Sequence, residues 1–151
     1  MPLTAGCNHV TIVTKDLDRF VRFYTEIFDA ELRVDEIDGD LRHVMIDVGE
    51  GFCLHPFELP QEGEHAVGLP AVFQRGHIDH FALNFADAES FETARKRLFE
   101  AGATEGRVRD FGVIKILTFT DPDGMECEIA LWKDGQPRSM AESTVEAYEA
   151  A

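Results

Sequence analysis

Two histidines and one glutamate occupy positions from which they could bind a metal ion. His9 and His80 each open a stretch in which larger and smaller residues alternate, and Glu128 lies in a third such stretch. Since successive side chains of a strand point to opposite faces, these three point away from the larger apolar residues. A carboxylate between Cys127 and Ile129 needs a partner if it is buried, and a metal ion held by two imidazoles would supply one.

His55 is a fourth candidate ligand. It lies in the stretch Phe52–Phe57, which corresponds by position to the stretch that holds Glu128. The offset is 128 − 55 = 73, against 80 − 9 = 71 for the two histidines, so the match needs a two-residue length change in a loop. Imidazoles with a carboxylate suit Fe, Mn, Ni, Co or Zn, and two histidines plus one carboxylate is also the pattern of non-haem Fe(II) oxygenases. The sequence therefore predicts one divalent ion bound by His9, His80 and Glu128, and it leaves open whether His55 is a fourth ligand.

The elements that would position these residues occur twice in the chain. The pairs that match at the offset of 71, without a gap, are His9 and His80, Asp16 and Asp87, Phe20 and Phe91, Phe28 and Phe99, and Ala30 and Ala101. Both copies show the same order: an alternating stretch, an acidic residue and then a helical stretch. Such a repeat predicts that each half forms the same supersecondary unit.

Each half is predicted to be a βαβββ module of an α+β fold. The first strand and helix are His9–Thr14 and Leu17–Phe28 in one half, and His80–Phe85 and Ala88–Ala101 in the other. Asp16 and Asp87 are predicted N-caps, and Gly102 a C-cap. Three strands then follow in each half: Glu31–Ile37, Leu41–Val48 and Phe52–Phe57, then Thr104–Asp110, Val113–Thr120 and Glu126–Trp132. We expect module one at residues 6–58, a linker at 59–75, module two at 76–132 and an acidic tail at 133–151 that forms a short helix from Ser139 or is partly disordered.

Composition narrows the classes of partner. The formal net charge is 14 − 29 = −15, which argues against nucleic acids and anionic membranes, because both require clustered Lys and Arg. Three cysteines without a CxxC pair, and no N-terminal signal sequence, favour reduced thiols in a cytoplasmic protein.

Several other side chains are candidates for the walls of a pocket. Arg107, Arg109 and Lys115 lie on predicted strands that face a cavity, where they could bind a carboxylate or phosphate of a substrate. Phe111 and Phe119 could form apolar walls, although core packing is their default role. The three remaining histidines are expected at surface or loop positions; they are His43, His65 and His77.

These motifs together resemble the vicinal-oxygen-chelate superfamily, which includes glyoxalases, extradiol dioxygenases and bleomycin-binding proteins. The matching segments are "NHVTIVTKDLDRFVRFYTEIF", "IDHFALNF" and "FTDPDGMECEIALW", within roughly Gly6–Trp132. The resemblance implies two tandem βαβββ modules that form a cupped, mostly antiparallel mixed sheet around a metal cleft. It also implies that His9, His80 and Glu128 occupy ligand positions. The fourth position of the family is commonly Glu, Gln or His, and His55 falls near it.

Two classes of function follow from the resemblance. The first is a metal-dependent enzyme, in which one divalent ion chelates two adjacent oxygens of a substrate and stabilises the enolate or alkoxide that forms. A lyase or isomerase would use Glu128 to move a proton, whereas a ring-cleaving dioxygenase would need only His9, His80 and Glu128 around Fe(II). The alternative is a metal-independent protein that sequesters a small molecule or an antibiotic, of the bleomycin-resistance type. The resemblance also implies a homodimer.

Overall fold

The computed structural model describes residues 7–59, 78, 80–134 and 144–149. The chain divides into two compact units, Met1–Gly68 and Leu69–Ala151. The first holds β1 (His9–Thr14), α1 (Leu17–Phe28), β2 (Glu31–Asp38), β3 (Leu41–Asp47) and β4 (Cys53–Glu58). The second holds β5 (Phe81–Asn84), α2 (Ala88–Glu100), β6 (Val108–Asp110), β7 (Ile114–Thr120), β8 (Glu126–Trp132) and β9 (Thr144–Glu146). The predicted βαβββ order is therefore present in both halves; the predicted linker lies largely outside the described residues.

Each unit forms its own mixed sheet. The first sheet has the order β1-β4-β3-β2 and the second the order β5-β8-β7-β6-β9. In both, the first strand of the module pairs in parallel with the last, and the other neighbours are antiparallel. The two modules thus repeat one topology, and the structure confirms the α+β class, with two sheets of four and five strands.

The helices begin and end where local chemistry requires. The carboxylate of Asp16 accepts a hydrogen bond from the backbone N–H of Arg19 at 2.9 Å, and that of Asp87 accepts one from Ser90 at 2.8 Å. Both residues therefore satisfy otherwise unpaired N–H groups, as predicted. Gly102 follows α2 with a φ of +70°, the left-handed conformation that lets its N–H and that of Ala103 bond the last turn.

Apolar side chains on one face of each sheet pack with the helix of the same unit. In the first unit the fully buried residues are Leu17, Phe20, Tyr24, Val44, Ile46 and Leu54. In the second they include Phe91, Leu98, Val108, Leu117, Cys127 and Ile129. Because strand side chains alternate, the other face of each sheet is left for polar groups, and we call it the open face. Among the described residues, the open face of the second sheet carries Ala82, Arg109, Ile116, Thr118 and Glu128.

The segment before β6 departs from the predicted strand Thr104–Asp110. Only Val108–Asp110 is a strand. The Thr104 hydroxyl donates to the carbonyl of Thr118 at 2.7 Å and accepts from the N–H of Gly106 at 3.2 Å. These side-chain bonds replace the backbone ladder over residues 104–107, an alternative that Thr often provides.

The C-terminal tail contains a strand where a helix or disorder was expected. Thr144–Glu146 forms β9, antiparallel to β6, while residues 135–143 lie outside the described part of the chain. The edge of β6 offers unpaired N–H and C=O groups, and pairing with them outweighs the helical preference of a short acidic segment. Side-chain contacts reinforce it, since Arg95 bonds Glu146 at 2.9 Å and the Tyr148 ring lies 4.5 Å from that of Phe99.

Two further observations bear on the expected environment of the chain. None of the three cysteines forms a disulfide bond. Among the described residues, no helix has both the length and the apolar character needed to cross a bilayer.

Candidate functional site

Strand register makes His55 the counterpart of Glu128. In the second unit, Glu128 of β8 lies opposite Ala82, two residues after His80. In the first unit, His55 of β4 lies opposite Thr11, two residues after His9. The two pairs therefore occupy the same places in their modules, and the offset of 73 arises outside the paired strands. His55 therefore occupies the strand position in the first unit that Glu128 occupies in the second.

The side chains of His80 and Glu128 lie close together in the second unit. Nε2 of His80 lies 3.6 Å from Oε2 of Glu128, with the side chains 35% and 18% exposed. Burial raises the pKa of the Glu128 carboxyl, and the neighbouring Glu126 acts in the same direction, while His80 and Arg109 oppose the rise. Two ligands that each lie about 2.1 Å from a tetrahedral ion are about 3.4 Å apart. The separation of these two atoms is thus close to that of two donors on one metal ion.

His9 is oriented by its neighbour in the first unit. Its Nδ1 lies 2.7 Å from Oδ1 of Asn8. Because an amide oxygen only accepts, this contact assigns the proton of His9 to Nδ1 and leaves the lone pair of Nε2 for a ligand. Metal-binding histidines commonly have such a partner on the nitrogen that does not bind the metal.

His43 lies beside the candidate ligand His55, and the sequence analysis did not include it in the site. Nδ1 of His43 lies 3.0 Å from Nε2 of His55, and its ring stacks on Phe57 at 4.9 Å. It was expected at a surface or loop position, but it lies in β3 with a partly buried side chain. Alternation within β3 could have revealed it, because Val44 and Ile46 face the core and His43 must then point the other way.

The histidines of the first unit are packed closely around His55. The ring of His55 lies 5.5 Å from that of His9 and 5.1 Å from that of His43. Burial lowers the pKa of His55, and His43 and then His9 lower it further, so the neutral imidazole is favoured. With Nε2 engaged by His43, Nδ1 is the nitrogen of His55 that remains for a ligand.

The pairs His80–Glu128 and His9–His55 carry donor atoms of the types that bind a metal ion. Neutral imidazoles and one half-buried carboxylate are a donor set for borderline divalent ions. Within the described residues, no group of three or more His, Cys, Asp or Glu lies together so as to hold a metal ion. The donor types and spacing of the His80–Glu128 pair and the orientation of His9 are each compatible with a metal ion, within their own units.

A cavity of about 580 Å³ lies on the second unit. Its lining includes Arg107, Arg109, Ile116, Thr118 and Val145, and it extends over the 102–105 segment. Arg109, Ile116 and Thr118 lie on the same face of the sheet as Glu128, since Thr118 is its direct neighbour across β7 and β8. The cavity and the candidate ligand Glu128 are thus on one face of one sheet.

The comparison with protein families assigns the chain. The model of the Glyoxalase/Bleomycin resistance protein/Dioxygenase superfamily matches residues 6–129. The chain belongs to this superfamily. The match spans both modules and includes all four candidate ligands.

Solved structures of the superfamily share the fold at low sequence identity. A glyoxylase/bleomycin resistance protein/dioxygenase domain from Frankia sp. EAN1pec is 24% identical, with a TM-score of 0.71, and the alignment covers 88% of this chain and 96% of that one. Lactoylglutathione lyase from Agrobacterium tumefaciens is 19% identical, with a TM-score of 0.61 and coverage of 87% and 97%. A mutant fosfomycin resistance protein from Listeria monocytogenes, solved with Mn(II) and a dihydroxypropylphosphonic acid, is 19% identical, with a TM-score of 0.57 and coverage of 87% and 95%.

The predicted substrate-binding residues of this superfamily member lie in different places. Arg109 and Phe119 line the cavity, although Phe119 is only 1% exposed and belongs to the core. Lys115 was expected to face the cavity, but this prediction was wrong. Its side chain lies on the face of the sheet opposite Arg109 and binds Glu146 at 3.1 Å. Phe111 follows β6 and is not among the lining residues.

Some members of the cavity wall were not predicted. Thr118 and Val145 line it, and Val145 belongs to the unexpected strand β9. The alternation of β7 was a usable signal for Thr118, whereas nothing in the sequence indicated that the tail pairs with β6. His65 and His77 lie outside the described residues.

Proposed function

We propose that this superfamily member is a metal-dependent enzyme that binds a small molecule through two adjacent oxygens. The observation that carries the proposal is the His80–Glu128 pair, with its 3.6 Å separation on the open face of the second sheet. The register-equivalent pair His9 and His55 supports it, because the same two strand positions carry donor atoms in both modules.

The proposed ligands are His9, His80 and Glu128, with His55 as the fourth. A divalent ion, when bound, would polarise the oxygens of the substrate as a Lewis acid. Asn8 would hold His9 with Nε2 toward the ligand, and His43 would hold His55 with Nδ1 as its remaining nitrogen. The metal is one of Fe, Mn, Ni, Co or Zn.

Glu128 is also the proposed catalytic residue for a lyase or isomerase reaction. A carboxylate oxygen of Glu128 would take a proton from one carbon of the substrate as a general base and then deliver the same proton to the adjacent carbon as a general acid. The half-buried position on the open face limits competing water around that oxygen. A ring-cleaving reaction is the second candidate, because it would need only His9, His80 and Glu128 as ligands; ligation by His55 as well would favour the lyase or isomerase reaction.

Metal-dependent stabilisation tests the proposal. The purified protein, treated with EDTA and then given Mn(II), Ni(II), Zn(II) or anaerobic Fe(II), should show a higher Tm with at least one ion, because a ligand that binds only the folded state stabilises it. The His80→Ala, His9→Ala and Glu128→Gln variants should each lose most of that rise. Glu126→Gln, an exposed neighbour in the same strand, is the matched control and should keep it.

The competing function is a metal-independent binding protein. Its support is the net charge of −15, which would suit a cationic small molecule. A protein that contains no metal after purification and shows no change in Tm with any of the four ions would favour this alternative and contradict the enzyme proposal.

A further inference from the structure

The open face of the second sheet carries a charged residue between two apolar ones. Arg109 of β6 lies directly opposite Ile116 of β7 on one side and Val145 of β9 on the other. Ile116 in turn lies opposite Ala130 of β8. A single row across four strands therefore reads Val145, Arg109, Ile116 and Ala130, and the first three line the cavity. Arg109 thus has an apolar neighbour on each side within this row, while the rest of the cavity wall also carries polar residues, among them Thr104, Glu105 and Thr118.

Arg109 differs from its cationic neighbours in having no close carboxylate. Arg107 lies 3.3 Å from Glu105, Lys115 lies 3.1 Å from Glu146, and Lys133 lies 2.7 Å from Asp110. Among the described residues, Arg109 has no carboxylate within the 4 Å of a salt bridge, and its interaction with Glu128 is a longer-range one. In a chain of net charge −15, acidic groups are abundant, so an arginine on a cavity wall without one has its donors available for a ligand.

The tail strand that supplies Val145 is fastened from the other face of the sheet. Arg95 of α2 is 3% exposed, and it donates to the side chain of Glu146 at 2.9 Å and to its carbonyl at 3.3 Å. The Tyr148 ring packs on Phe99, and it lies against Gly106 so closely that a Cβ there would fall 2.5 Å from the Tyr148 Cβ. Val145 is thus held in place as a wall of the cavity beside Arg109.

We propose that this cavity binds a small organic oxyanion, with Arg109 holding the carboxylate or phosphate group and Val145 limiting the size of the apolar body beside it. Arg presents a planar set of N–H donors that matches both anions. Ile116 and Val145, its two neighbours in the row, would contact the organic body of such an anion. The inference deepens the proposed function and rests on it in one respect, since it names the class of substrate for the same face of the sheet.

Binding of matched probes to the metal-free protein tests the anion site. After the metal has been removed with EDTA and the EDTA dialysed away, benzoate and phenyl phosphate should bind in calorimetric or NMR titrations at least about tenfold more tightly than neutral benzyl alcohol. Arg109→Met should weaken both anions by about tenfold or more, and Arg109→Lys should cause a smaller loss, because Lys keeps the charge but not the fork. Arg22→Met, which removes the same charge from α1, should bind as the parent does. Preference for one anion identifies the group that the site takes.

Equal binding of benzyl alcohol and the anions, or equal losses in Arg109→Met and Arg22→Met, would overturn the anion site. Because the probes are titrated without metal, the result is independent of metal uptake. Anion binding in a protein that takes up no metal would contradict the enzyme proposal and support the anion site. Metal uptake without anion binding would support the enzyme proposal and contradict the anion site.

A second variant tests the wall. Val145→Trp should weaken phenyl phosphate by about tenfold while inorganic phosphate binds as before, because only the phenyl group needs the space. Thr93→Trp, at an exposed position in α2, is the control for adding a large side chain. Unchanged affinity for phenyl phosphate, or an equal loss for inorganic phosphate, would contradict the role of Val145.

Discussion

At the scale of single residues, the candidate site depends on which residues the strand pairing brings together, more than on the residue types alone. The sequence already matched His9 with His80 and, with a two-residue difference in offset, His55 with Glu128. The parallel pairing of the first and last strand of each module places His55 two positions along from His9, as Glu128 is from His80. Asn8 and His43 then add orientation, which spacing alone could not reveal because it depends on rotamers.

Outside the candidate site, we expect substitution of Arg95 to lower the free energy of unfolding most. Its buried guanidinium donates to the carbonyl of Gly106 at 2.8 Å and to Glu146, and it lies 5.2 Å from the Tyr148 ring. Arg95→Met should lower the free energy of unfolding by about 2–4 kcal/mol, since several charge-assisted bonds are lost and a buried carbonyl is left without its donor.

Urea denaturation followed by circular dichroism measures this loss. Lys96→Met, at a 64% exposed position on the same helix, should change the unfolding free energy by less than about 0.5 kcal/mol. Equal effects of the two substitutions would show that Arg95 does not fasten the tail.

At the scale of elements, most of the fold follows from the sequence. The repeat, the acidic N-caps and the alternation predict α1 without error and the other elements of the two modules to within a few residues. Segments fixed by side-chain bonds and tertiary contacts were missed. Thr104 replaces a predicted stretch of strand, and β9 exists because β6 offers an edge and Arg95 a partner. Neither contact has a periodic signal in the sequence.

The attachment of β9 should depend on pH through Glu146. Its pKa is lowered by hydrogen bonds from Arg95 and then Lys115. A carboxyl whose pKa is depressed in the folded state stabilises it above the unfolded value of about 4.3, and that contribution disappears as pH falls through the folded value. Among the described residues, Glu92 also contacts Arg95 at 3.2 Å, and Asp110 also interacts with Lys115, so both acidic groups face this site.

Hydrogen exchange of the backbone amides of β9 reports the attachment directly. Protection should be constant from neutral pH to about 5 and should fall below about 4, relative to the amides of β7 and β8. Glu146→Gln should show weaker protection at neutral pH and little further change on acidification. A pH dependence that persists in Glu146→Gln would assign the effect to another group.

At the scale of the whole molecule, the family assignment and the net charge bound the function. Membership in the superfamily rests on a match across residues 6–129, and the neighbours share the fold at 19–24% identity. Reaction and substrate are set by side chains on the open faces, so the fold does not decide between a lyase, a dioxygenase and a binding protein. The charge of −15 would draw divalent cations to the surface and hold nucleic acids away.

We also predict a homodimer in solution. The first sheet ends in the edge strands β1 and β2, and β2 exposes Leu32 and Ile37. Edge strands with apolar side chains are usually covered by a partner. Light scattering after size exclusion should give about twice the 16.9 kDa of one chain. A mass of one chain at micromolar concentration would contradict this prediction.

Anomalous diffraction from metal-loaded crystals, recorded on both sides of the absorption edge of the added ion, tests the metal proposal most directly. The predicted result is an anomalous peak about 2.0–2.2 Å from Nε2 of His80 and from a carboxylate oxygen of Glu128. The same peak should be lost in the Glu128→Gln variant. Loaded crystals that show no peak at His80 and Glu128, or a peak bound only by other residues, would contradict the assignment of this pair as metal ligands.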